Sequence, residues 1–153
     1  MLSPALKAKI ASLAPEPFRQ NADEVKALLN ALAVNENSCF AQFYLNYVGA
    51  FVAPNQAVEL LEITDIVRPN IMEMTEYFAE HYGLPPRCVA LSDDDFGVLW
   101  LYHLDRDWVA EINLDGVEHL DDLADEPFAQ TVCLQKWHSF AAFLHEFFQA
   151  KAA

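Results

Sequence analysis

Between residues 88 and 114, three stretches rich in Val, Leu, Ile, Trp and Tyr follow one another closely: CVAL at 88–91, FGVLWLYHL at 96–104 and WVAEINL at 108–114. That composition reads as strand. The links between the stretches are of hairpin length. A parallel crossover needs roughly a dozen residues or more, so these strands are predicted to pair antiparallel. Asp105-Arg106-Asp107 is the predicted turn of the last hairpin, because an aspartate side chain bonds nearby backbone amides.

The flanks have helical periodicity. Residues 4 to 13 form a predicted short helix stopped by Pro15 and Pro17. Asn21-Ala22-Asp23-Glu24 reads as a capping box, followed by Val25, Leu28, Leu29 and Leu32 on one face. Asn37 or Ser38 caps a next helix whose apolar side is Phe40, Phe43, Tyr44 and Tyr47, with Gly49 placed to end it. Val58 to Ile63 looks like a strand. Residues 64 to 69 turn into a helix over about 70–82, with Ile71, Met74, Phe78 and Tyr82 inward and Glu73, Glu76 and Glu80 outward. Ser139 or His138 starts a closing helix carrying Phe140, Phe143, Leu144 and Phe147; a start nearer Thr131 stays open. Helices, then consecutive strands, then a helix predict an α+β fold with a mainly antiparallel sheet flanked by helices.

The chain has 153 residues, enough for one domain with a sizeable core. The division expected is an N-terminal helical extension over 1–20 and a single domain over 21–150. Hydrophobic residues make up 54% of the sequence, which excludes a disordered chain. No apolar run reaches the roughly 18 residues of a membrane span, and the N-terminus has no continuous apolar segment of a signal peptide. Three widely spaced cysteines, Cys39, Cys88 and Cys133, make no disulfide framework. They read as buried, inert thiols in a reducing compartment, and the expected location is cytoplasmic.

Asp and Glu number 23 against nine Lys and Arg, a formal charge of −14. Such a surface repels phosphate backbones and anionic lipid, so no direct nucleic-acid or membrane binding is expected. It attracts a basic protein; alternatively it only keeps an apolar-rich chain soluble.

Motifs for chemistry are sparse. Asp95-Phe96-Gly97 spells the kinase metal-binding triplet, but the chain is too short for a kinase and has no Gly-rich loop. Gly97 is instead expected to mark a bulge or close packing where a strand begins. Asp93-Asp94-Asp95 lacks calcium-loop spacing, and neighbours in an extended chain point to opposite sides. The five histidines form no H-E-x-x-H or H-x-H pair. No metal and no cofactor is expected. Trp100 and Tyr102, with Trp108 opening the next strand, make an aromatic row that fits either an interface or the core.

Four segments carry a family resemblance: FAQFYLNYVGAF at 40–51, ELLEITDIV at 59–67, LSDDDFGVLWLYHLDRDWVAEI at 91–112 and SFAAFLHEFF at 139–148. In that order they resemble the SUKH superfamily, which takes in bacterial toxin-immunity proteins and fungal cell-wall synthesis regulators. The resemblance implies a SUKH-like α+β protein that binds another protein and has no catalysis of its own. In bacterial members the partner is often a toxin, commonly a basic nuclease. The expected function is therefore an immunity protein that occludes a toxin. The alternatives are a regulatory adaptor for an endogenous protein and a small enzyme with an acidic site. The expected partner-binding residues are Asp93, Asp94, Asp95, Asp105, Asp107, Asp121 and Asp122.

Overall fold

The structure, a computed structural model, describes residues 2–13, 16–52, 57–115, 117, 119–120 and 132–150. Its elements, in chain order, are α1 (Pro4–Leu13), α2 (Asp23–Ala31), α3 (Cys39–Asn46), β1 (Phe51–Val52), β2 (Glu59–Leu60), α4 (Ile71–Tyr82), β3 (Cys88–Ala90), β4 (Val98–His103), β5 (Val109–Asn113), β6 (Cys133–Trp137) and α5 (Phe140–Phe147). The fold is α+β. A four-stranded sheet has the order β3-β4-β5-β6, each neighbouring pair antiparallel, and β1 and β2 form a separate two-stranded sheet.

Several helix ends follow from single side chains. Ser38, not Asn37, caps α3: its Oγ accepts from the Ala41 amide at 3.1 Å. Asn70 does the same for α4 through the Glu73 amide, and Gly83 closes that helix in the left-handed conformation. Ser139 caps α5 through the Ala142 amide. At α2 the expected capping box does not form. Asn21 accepts from the Asp23 amide in a local turn, and the cap residue Ala22 has no side-chain bond. Helix α3 ends short of Gly49, because Tyr47 is already extended and bridges to Phe18.

The expected strand over 58–63 shrinks to Glu59–Leu60, since the chain then turns so that the Leu61 amide bonds the Leu91 carbonyl. Gly97 is not a close-packing glycine. Its φ is +72°, and a Cβ there would meet nothing within 4 Å, so the turn into β4 requires its backbone freedom. Strand β6 has no counterpart among the strands predicted from the sequence. Residues 133 to 137 are an edge strand, and α5 starts only after it.

The sheet and helices share one core. On one face of the sheet, Trp100, Tyr102 and Trp137 meet an aromatic layer from α3 and α5. The Tyr102 ring stacks on Phe40 with centroids 4.7 Å apart, and Trp100 and Trp137 present edges to Phe143. Trp100 is core, not interface. Helix α4 packs along β3. Leu2, just before α1, and Leu6 and Ile10 of α1 are buried in the same core.

One ion pair is also interior. Arg19 donates to both oxygens of Glu62, at 2.7 and 3.0 Å, and both side chains are almost completely buried. Arg19 also donates to the Tyr44 and Tyr47 carbonyls at the end of α3, while Thr64 donates to Glu62. A buried charge is tolerated only when paired and hydrogen-bonded, and here both conditions are met. The pair ties the chain before α2 to the end of α3 and to the segment after β2.

Among the described residues, no helix is long and apolar enough to cross a membrane.

Candidate protein-interaction surface

The aspartates expected to face a partner lie around β4, and they divide between its ends. Asp93, Asp94 and Asp95 precede the strand; Asp105 and Asp107 follow it. A six-residue strand separates the two groups by about 20 Å. Asp121 and Asp122 lie outside the described residues.

At the start of β4 the three carboxylates have different surroundings. Asp93 Oδ1 accepts from the Asp95 amide at 3.1 Å, which fixes the turn. Partial burial pushes the Asp93 carboxyl above its ordinary range, and the neighbouring Asp95 and Asp94 charges add to this. Asp94 Oδ2 accepts from the Tyr77 hydroxyl at 3.0 Å, tying the turn to α4 and raising the phenol above its usual range. Asp95 is exposed. Among the described residues, no group of three His, Cys, Asp or Glu side chains could hold a metal ion.

The far end of β4 is differently built. Arg87 holds Asp105 through two hydrogen bonds of 2.9 Å and reaches the Leu32 carbonyl behind α2 with another nitrogen. The guanidinium keeps the Asp105 carboxyl below its ordinary range. Asp107, in the left-handed conformation with φ of 61°, accepts from the Tyr102 hydroxyl at 2.8 Å. His103 closes the turn from inside: its Nδ1 accepts from the Asp105 and Arg106 amides. Burial depresses the His103 imidazole below its ordinary value, and the Arg106 charge acts in the same direction. The Asp-Arg-Asp hairpin is present as expected, with Tyr102 opposite Val109.

The three cysteines are free thiols. Burial pushes Cys39 up to about 11 and Cys88 up to about 12, and Cys133 is raised by the same cause. Cys88 is buried as expected; Cys39 and Cys133 are only half-buried.

Two features near the Asp94 end were not foreseen. Across the β5–β6 ladder, Glu111 faces Gln135 and the next residue, Ile112, faces Cys133. Leu134 is thereby left as the extra residue of a bulge, and it is 55% exposed. Phe96, in the turn before β4, is 58% exposed. Both line a shallow depression of about 440 Å³ whose acidic members, among the described residues, are Asp94 and Asp115. The sequence signal for Phe96 was its place beside three aspartates in a turn; the bulge at Leu134 left no sequence signal.

No protein-family model matches the chain, and no curated protein or solved structure matches it either.

Proposed function

We propose that this chain is a non-catalytic protein-binding module, an immunity protein of the SUKH type acting in the cytoplasm, that neutralises a basic toxin by covering it. One observation carries this reading. A chain of formal charge −14 presents aspartates from an ordered turn before β4, where Tyr77 holds Asp94 and Asp95 is exposed. Negative charge fixed on a rigid scaffold steers a cationic partner and needs little reordering on contact. A nuclease toxin suits such a surface, because its own nucleic-acid site must be positive.

The test is a pull-down from native lysate with the tagged protein, eluted at low and then high salt. A single basic protein released by salt, whose activity the pure chain inhibits, supports the proposal. Recovery of a partner that is not inhibited points to an adaptor instead.

A further inference from the structure

We propose that the depression at the Asp94 end of the sheet is the docking point for an arginine-bearing apolar segment of a protein partner. This rests on the reading of the chain as a protein-binding module and adds the place and the chemistry of contact. The geometry has three parts. Phe96 and Leu134 each leave more than half of their surface in water, on the rim of a depression of about 440 Å³. Large apolar side chains exposed together beside a concavity are a feature of interaction sites. Leu134 stands there because of the β6 bulge, a device that redirects a side chain at a sheet edge.

The charge selects the occupant. Among the described residues, Asp94 and Asp115 belong to the lining and no Lys or Arg does. Asp94 is held in place by Tyr77, and the Asp115 amide is fixed by Asn113 Oδ1. An arginine suits both surfaces of such a site. Its stem covers apolar carbon, its guanidinium stacks on an aromatic ring such as Phe96, and its N–H groups meet carboxylates. An acidic segment would be repelled, and a purely apolar one would leave the carboxylates desolvated without partners.

The experiment uses the full chain, labelled with ¹⁵N. The probes are synthetic peptides carrying Arg beside Leu, Phe or Trp, with controls in which each Arg is replaced by Glu. The expected result is saturable amide shifts at Phe96, Gly97, Val98, Leu114, Asp115 and Leu134 with the Arg peptides alone. F96S/L134S should weaken this binding about tenfold or more, as removal of two apolar contacts implies. Asp115→Asn, a change at an exposed site, should weaken it less and serves as a second variant if the first misfolds. No saturable shift at millimolar peptide overturns the proposal. So do shifts confined to the Arg87–Asp105 end, although the binding-module reading would then survive. Conversely, Arg peptides binding at this site while lysate yields no basic partner would support the site and count against the immunity reading.

Discussion

The two ends of β4 carry similar sequences, Asp-Asp-Asp before it and Asp-Arg-Asp after it, yet they are built for different states of charge. After the strand, the acids are answered from within the molecule. Asp105 has Arg87, Asp107 has the Tyr102 hydroxyl, and His103 satisfies the turn amides. Before the strand, among the described residues, Asp94 alone has a partner from another element, Tyr77, and exposed Phe96 and Leu134 stand beside it. Proximity of aspartates in the sequence therefore says little about which charge is available. What decides is whether the fold supplies a cation or a donor, and it does so at one end more fully than at the other.

This contrast changes which substitutions can test binding. Reversing charge at Asp94, Asp105 or Asp107 removes a hydrogen bond that holds a turn, so lost binding there would mix with lost structure. Asp95 and Asp115 are exposed and give cleaner reversals.

The interior shows the limit of a fully committed charge. Arg19→Met leaves Glu62 buried without its cation and should cost about 3–5 kcal/mol, read as a fall in the urea midpoint. A loss below about 1 kcal/mol would contradict a structural role for the pair. At the closed end of β4, Arg87→Ala removes the Asp105 pair and the bond to the Leu32 carbonyl together. Because that side chain is about a third exposed, the expected cost is only about 1 kcal/mol. Partner affinity should stay unchanged; a large loss of affinity would place the interface at this end.

The closed end should also respond to acid through His103. Its folded value lies below the ordinary 6.5. Below 6.5 the unfolded chain takes up a proton that the folded chain resists, so stability falls with pH until the folded value is passed. Asp105 acts in a lower window: its contribution is present above the ordinary carboxylate value of 3.8 and is lost as pH falls through its depressed folded value. Urea midpoints at about pH 7.5 and about pH 5.5 should differ in the wild type, and His103→Gln should narrow that difference. An unchanged difference would assign the acid sensitivity to another group. At the open end the expected effect on stability is smallest. Asp115→Asn should move the unfolding free energy by no more than about 0.5 kcal/mol, because its side chain is exposed. A loss of several kcal/mol by the same urea titration would show that Asp115 holds the fold.

The α+β architecture was legible because helical and strand periodicities are long and separate in this chain. The apolar stripe from Ile71 to Phe78, bounded by Asn70 and Gly83, gave α4 closely, and short links gave the hairpins. Strand β6 was not legible. Cys133 and Trp137 point inward or are half-covered while Leu134, Gln135 and Lys136 are exposed, so no alternation marks it. Edge strands answer to one neighbour and carry weak patterning. The Arg19–Glu62 pair joins positions 43 apart, which periodicity cannot connect. One sign was present: Glu62 stands among Leu60, Leu61 and Ile63, a run in which burial of the carboxylate would require a partner. At the candidate site the aspartates could be named, but their division between two ends of a strand depends on the three-dimensional path. So does the pairing of Phe96 with Leu134, which come from different hairpins.

The most direct test of the central claim, that fixed negative charge at the open end recruits a cationic protein, is the affinity of the recovered partner measured across a series of salt concentrations. A steady fall as salt rises is expected, with a shallower slope for Asp95→Asn combined with Asp115→Asn. An affinity that is flat with salt and indifferent to those two substitutions would contradict it.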